Sequence, residues 1–296
     1  MDGILNIHKP SGMTSHDVVE CARRTLRERR IGHTGTLDPL ATGVLVLCVG
    51  KATRIAQYLE AGEKEYRAVM RLGISTDTLD AEGRVLQTIP YSPPTRQLVL
   101  DTLKDFTGAI MQRPPAYSAV KIAGVPSYKL ARAGNVEPHK PRPVTIHGIE
   151  LTEYEDPFVS LTVQCSKGVY IRTLCAEIGN TLSMGAHLVK LERTRSGNFR
   201  LEQAITLDRL ADMAAANTAK DALVPIDEAL TDFPLVPVSA AEAVRVLHGN
   251  QIPCPEPYTG STNSLIRLHS PSGTLLALAR VVEGIIRPDL VFSSST

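Results

Sequence analysis

The sequence predicts an α+β fold: a mixed or antiparallel central sheet with flanking helices, followed by a small β-rich C-terminal domain. Three observations predict it. Strand-like and helix-like stretches are mixed along the chain, often through hairpin-length connections and without a repeated βαβ rhythm. Hydrophobic residues make up 43% of the 296 positions and charged residues 21%, a composition that supports a packed core. The composition changes near residue 235, and the short strands and turns beyond it are too few to bury much core unaided. On this reading residues 1–232 form the main domain and residues 235–296 the appendage.

Each element has its own signal. Residues 15–29 carry Val18, Ala22 and Leu26 at i, i+4 and i+8, a helical stripe that Thr14 or Ser15 can cap, with Arg23, Arg24, Arg27 and Arg30 on the far face. A Gly- and Thr-rich loop follows and leads into VLVLCVG, an apolar run of buried-strand length. Residues 64–73 alternate, with Tyr66, Ala68, Met70 and Leu72 on one face. Helix signals return at 95–106. The proline-rich stretch 111–145 reads as an extended basic excursion. A strand at 159–166 leads into a helix marked by Ile171, Leu174, Cys175, Ile178 and Leu182, and residues 187–199 alternate as a strand.

The charge pattern narrows the function classes. Residues 201–296 hold 6 Lys/Arg against 11 Asp/Glu, leaving 26 against 20 in residues 1–200. Residues 104–147 hold seven basic residues against two acidic, an excess that can follow a polyanion backbone or be a solvated face. No apolar run approaches the roughly 20 residues that span a bilayer, and the opening lacks the basic and apolar regions of a signal peptide. The five cysteines are scattered without a C-x-x-C pair, and no histidine spacing suits zinc. A cytoplasmic protein without membrane contact is expected.

The most informative stretch runs from Gly32 through His33, Gly35, Leu37, Asp38, Pro39 and Ala41 to Gly43. Glycines at 32, 35 and 43 permit backbone angles closed to other residues, while Pro39 restricts Asp38 to an extended conformation. Leu37 and Leu40 can anchor the loop to the core. Such a loop presents one carboxylate rigidly, as a nucleophile or general base requires, or it uses Asp38 to cap a turn. Neither phosphate-cradling glycine pattern is present.

This segment resembles the signature of the TruB family of tRNA pseudouridine synthases, G-H-x-G-x-L-D-P-x-A-x-G, at every fixed position. The resemblance continues through Lys9-Pro10-Ser11-Gly12, Lys64-Glu65-Tyr66, Thr76-Asp77-Thr78-Leu79-Asp80, Pro115-Ala116-Tyr117-Ser118-Ala119-Val120-Lys121, Cys165-Ser166-Lys167-Gly168-Val169-Tyr170-Ile171-Arg172, and Gly185-Ala186-His187 with Leu191 and Arg193. It covers roughly residues 1–200. His8 and Val169 depart mildly from the pattern, and the C-terminal residues resemble a PUA-like tail only loosely.

The resemblance implies a pseudouridine synthase fold and an enzyme that isomerises the uridine of the tRNA T-loop after flipping it out. No cofactor and no metal are implied, because the reaction is an isomerisation. Asp38 matches the essential aspartate, Tyr66 the tyrosine that stacks on the base and helps to remove the C5 proton, and Arg172 the arginine paired with the aspartate, an ion pair expected to be bidentate. Tyr170 and Leu191 match pocket-lining residues, His33 a residue near the flipped nucleotide, and Asp80 a nucleotide contact. Lys9 is placed either on the RNA-facing surface or as structural support. The expected partner is the tRNA T-stem-loop, bound by a monomer without guide RNA. Two alternatives have other signatures: an RNA-binding or RNA-folding protein with vestigial catalytic residues, and a guide-RNA-dependent relative of the dyskerin type. A glycosidase needs two paired acids, and no second acid has comparable motif support.

Overall fold

The computed structural model describes residues 1–118, 120–122, 124–127, 130, 139–254 and 263–292. The chain divides into two units, Gly3–Leu223 with Met1 and Val224–Thr296 with Asp2. Among the described residues, no helix is long and apolar enough to cross a membrane.

In chain order the first unit begins with β1 (Gly3–Lys9), α1 (Ser15–Leu26), β2 (Ile31–His33), β3 (Thr42–Val49), α2 (Ala56–Glu60) and β4 (Lys64–Leu72). The hairpin β5 (Ile74–Thr76) and β6 (Val85–Thr88), helix α3 (Arg96–Lys104) and β7 (Gly108–Gln112) follow. After the short pair β8 (Lys121–Ile122) and β9 (Val125–Pro126) come β10 (Arg142–Glu155), β11 (Phe158–Cys165), α4 (Ile171–Thr181), β12 (Ala186–Ser196), β13 (Phe199–Arg200) and α5 (Leu207–Ala215).

One mixed sheet organises this unit, in the order β1-β3-β12-β4-β11-β10-β7, with β2 added to β3 and β13 to β12. Its pairings are antiparallel except at β3 and β12, where Thr42 and Gly43 run parallel to Glu192 and Arg193. The alternation expected over 64–73 is the burial pattern of β4: Lys64, Tyr66, Ala68, Met70 and Leu72 all face inward. Along β12 the alternation breaks at bulges between Leu188 and Lys190 and between Arg193 and Arg195, so Arg193 and Thr194 are buried in succession. The strand that the sequence places at 187–199 forms as β12 and β13, with those bulges interrupting its alternation.

Helix α1 starts at a capping box, Thr14 with Asp17, and buries Val18, Val19, Ala22 and Leu26. Burial of each large apolar side chain contributes about 1.5–3 kcal/mol, which ties the helix to the sheet. Its far face is not uniformly solvated. Arg24, Arg27 and Arg30 are exposed, but Arg23 pairs with Glu20 and donates to the Ile31 carbonyl at 2.6 Å. The basic excursion expected over 111–145 falls partly on residues 119, 123, 128–129 and 131–138, outside the described residues.

The second unit carries its own core around Val236, Val246, Ile252, Ile266 and Leu268. Five strands form its sheet: β14 (Leu235–Pro237), β15 (Ile252–Pro253), β16 (Leu265–His269), β17 (Leu275–Val282) and β18 (Ile285–Val291). Two helices accompany them, α6 (Ile226–Ala229) and α7 (Ala240–Leu247). The unit begins ahead of the composition change near 235 because Asp227 of α6 accepts from Arg267 at 2.7 Å and contacts His269 at 2.9 Å.

Candidate active site

The loop between β2 and β3 is held from three sides. From α1, Ser15 Oγ accepts from the Leu37 N–H at 2.8 Å and donates to the Leu37 carbonyl at 3.0 Å. From β1, the Lys9 ammonium donates to the carbonyls of Pro10, Pro39 and Ala41 at 2.8, 3.1 and 2.6 Å. From β12, Arg193 Nε donates to the Val44 carbonyl at 2.7 Å and Nη2 to the Gly35 carbonyl at 3.1 Å. Leu37 and Ala41 anchor the loop in the core. With its backbone fixed at both flanks, the loop presents Asp38 in one orientation.

Two glycines make this path possible. Gly35 and Gly43 have φ of +106° and +100°, which side-chain-bearing residues rarely adopt. A Cβ at Gly43 would collide with the Arg193 backbone at the parallel crossing of β3 and β12. Gly32 differs from the sequence expectation: it lies in β2 opposite Cys48 without a positive φ. Gly43→Ala is therefore expected to destabilise the first unit by at least about 1–3 kcal/mol, read by denaturant unfolding; an unchanged midpoint contradicts the close packing at this crossing.

Asp38 faces Arg172, the second residue of α4. Arg172 Nη2 donates to Asp38 Oδ1 at 3.0 Å, while Nε lies 2.8 Å from Oδ2 without a hydrogen-bond alignment. Both carboxylate oxygens therefore face the guanidinium, a two-point ion pair in which one contact is also a hydrogen bond. Arg172 also reaches Asp80 Oδ2 at 3.2 Å and the carbonyls of Thr78 and Tyr117 at 3.0 and 2.8 Å. One buried guanidinium thus ties together the Asp38 loop, the Asp80 turn and the segment at Tyr117. Burial pushes the Asp38 carboxyl above its ordinary range; Arg172 pulls it back and Asp80 adds to the rise.

Asp38 opens onto a cavity of about 320 Å³, whose wall also carries Lys64, Tyr66, Tyr170, Leu191 and Arg193. The Tyr170 backbone is fixed by Gln112 of β7, whose side chain accepts from its N–H at 2.7 Å and donates to its carbonyl at 3.1 Å. Tyr66 is 8% exposed. Burial raises the pKa of its phenol, while Arg193, hydrogen-bonded to it, opposes the rise. The cavity therefore combines a presented carboxylate and two cations with aromatic and aliphatic walls, a form that suits a flat heterocycle.

Three sequence-predicted contacts are not on this wall. Lys9 is fully buried beneath the loop, the structural-support position among its two expected places. Asp80 is 4% exposed and sits behind Arg172, receiving Thr78 Oγ1 at 2.5 Å and the Glu82 N–H at 3.1 Å. His33 lies in β2 beside the loop, where burial and Arg193 lower its pKa. Conversely, sequence reasoning missed Lys64, Arg193 and Gln112. The first two stood in quoted motifs, but nothing in their spacing marked two cations as buried.

A family model described as the N-terminal domain of TruB family pseudouridylate synthases matches residues 23–171, and one for the C-terminal domain of tRNA pseudouridylate synthase B matches residues 172–231. The tRNA pseudouridine synthase B of Burkholderia lata is 44% identical over 98% of this chain and 89% of its own length. The chain belongs to the TruB family. Another relative, the tRNA pseudouridine synthase B of Geobacter sulfurreducens, is 42% identical over 97% of this chain and 92% of its own.

Solved structures place the fold beside this TruB assignment. The chain matches one in a Cbf5-Nop10-Gar1 complex with a TM-score of 0.78 and 29% identity, covering 98% of this chain and 85% of that one. A second, from an H/ACA ribonucleoprotein bound to a substrate RNA containing 2'-deoxyuridine, gives a TM-score of 0.76 and 26% identity over 98% and 85%. The mixed sheet is that of the pseudouridine synthase fold.

Proposed function

We propose that the chain is a tRNA pseudouridine synthase that isomerises the T-loop uridine to pseudouridine, with Asp38 as nucleophile. The observation that carries this reading is Asp38 held against Arg172 at the wall of a cavity lined by Tyr66, Tyr170 and Leu191. The target nucleoside leaves its stack and enters the cavity, at a cost of a few kcal/mol that phosphate contacts offset. Tyr66 stacks on the base, Tyr170 and Leu191 pack around it, and His33 stands near the everted nucleotide. Arg172 orients Asp38, and Asp80 and Lys9 support that arrangement from behind. The C1′–N1 bond opens, the base turns, and C5 joins C1′ while the bond to Asp38 breaks and the carboxylate is released; the proton lost from C5 balances the one gained at N1. Rigid positioning supplies much of the rate enhancement.

The T-stem-loop is recognised chiefly by shape and splayed bases. The enzyme works as a cytoplasmic monomer without guide RNA, and residues 235–296 serve as a PUA-like appendage. Identity of 44% to a tRNA pseudouridine synthase B, against 29% to the Cbf5 structure, favours the guide-free reading. The test is incubation of the purified chain with unmodified tRNA transcript, followed by mapping of pseudouridine. Product at the T-loop uridine without added RNA is expected. Product only with a guide RNA selects the dyskerin-like alternative, and no product under either condition overturns the assignment.

A further inference from the structure

Two buried cations on the cavity wall form no ion pair among the described residues, although the Glu60 carboxylate shares that wall and acts on Lys64 from beyond contact, and the proposed reaction does not use them. Arg193 is 1% exposed and spends its donors on the carbonyls of Val44 and Gly35 and on the Tyr66 phenol. Lys64, 4% exposed, donates to the carbonyls of Glu60 and Gly62 at 3.1 and 2.5 Å, using two of its three N–H bonds. Both line the same cavity as Asp38 and Tyr66. Among the described residues neither forms an ion pair. An unpaired buried cation is costly, so a cavity that keeps two of them is suited to a ligand that brings negative charge.

The proposed reaction generates such a charge on the base. When the C1′–N1 bond opens, Asp38 takes C1′ and the bonding pair leaves on N1, spreading over O2 and O4 of the uracil anion. If Asp38 instead adds to C6, the pair displaced from the C5–C6 double bond spreads over C5 and O4. In both routes the base becomes anionic inside the cavity, without any oxidant or co-reactant. The geometry points to Lys64 and Arg193 as the groups that hold this negative charge on the detached or adducted uracil. The inference rests on the function proposed above and extends it. Arg193 is the fixed partner, locked into the loop that carries Asp38, and Lys64, held by the Glu60 and Gly62 carbonyls, lines the same cavity.

Lys64 is also the partner that titrates. Burial, then Arg193, brings its pKa down to about 8, against the opposing pull of Cys165 and Glu60 and with a further push from Arg195. The cation is present below that pH and lost above it. The single-turnover rate is therefore expected to fall as pH rises through about 8, and Lys64→Arg, which stays charged, should remove that alkaline limb. Lys64→Gln is expected to slow single turnover about 10²–10³-fold, the scale of losing one preorganised donor to a developing anion, with tRNA affinity nearly unchanged.

A binding experiment separates this inference from the assignment it rests on. The probe is a T-arm stem-loop carrying 6-azauridine, isosteric with uridine but acidic enough to be anionic near neutral pH, at the target position. The wild-type chain is expected to prefer it about tenfold over the uridine stem-loop, and Lys64→Gln to lose that preference, with Lys64→Arg restoring it. Thermal unfolding of both variants verifies that they fold. If Lys64→Gln turns over at the wild-type rate, or keeps the full preference for the azauridine RNA, the inference is overturned. A wild-type chain that shows the preference but never isomerises uridine supports the charge site and sinks the proposed activity instead.

Discussion

Asp38→Asn is expected to lose isomerisation by more than about 10⁴-fold, roughly 5.5 kcal/mol of transition-state stabilisation, while binding unmodified tRNA with nearly wild-type affinity. The amide matches the carboxylate in shape but can neither add to an electrophilic carbon nor depart from one as readily. The fold should survive the change. The loop is clamped through backbone groups by Lys9, Ser15 and Arg193, and Asp80 still neutralises Arg172. Single-turnover product formation beside filter binding checks the claim. A parallel collapse of affinity and turnover assigns Asp38 a structural role.

Arg172→Ala is the second large effect, and it falls on stability as well as rate. The substitution removes contacts to Asp38, Asp80, Thr78 and Tyr117 at once, leaving two carboxylates in a largely buried site without their shared cation. Loss of one partner from a buried ion pair costs about 3–5 kcal/mol, a large share of a domain's stability. Turnover should fall about 10²–10³-fold beyond any loss of folded protein, because Asp38 loses both its orientation and its counter-charge. Arg172→Lys restores the charge but not the reach, since one ammonium cannot span all four partners, so partial recovery of stability with little recovery of rate is expected. Denaturant unfolding and single-turnover rates read the two components. Wild-type values in Arg172→Ala contradict the arrangement.

What could be read in the sequence was governed by local pattern. The alternation of β4 and the apolar stripe of α1 are properties of neighbouring residues, and both elements form where expected. The loop around Asp38 was legible for the same reason: a Pro beside the aspartate and glycines at 35 and 43 constrain the backbone whatever surrounds them. The long strand β10 carried no clean signal, because irregular pairing at Gly148 and at Leu151–Glu153 disrupts its alternation. The site was hidden wherever burial is set by distant strands. Arg193 turns inward only because β12 bulges beside its parallel crossing with β3, and Lys9 only because β1 lies beneath the loop. Arginine and lysine are ordinarily exposed, so no local rule predicts either placement.

The most direct test of the account is the pH dependence of the single-turnover rate, because the central claim concerns the charge on one carboxylate. On the proposed mechanism Asp38 acts as the anion, and burial raises its pKa against the pull of Arg172. The rate is therefore present above that raised pKa and lost as pH falls through it, at a higher pH than an ordinary carboxylate would give. Replacing Arg172 by Gln removes the opposing pull and should move this acid limb upward. A wild-type rate that stays flat down to the ordinary carboxylate range, or an acid limb that Arg172→Gln leaves in place, contradicts the account.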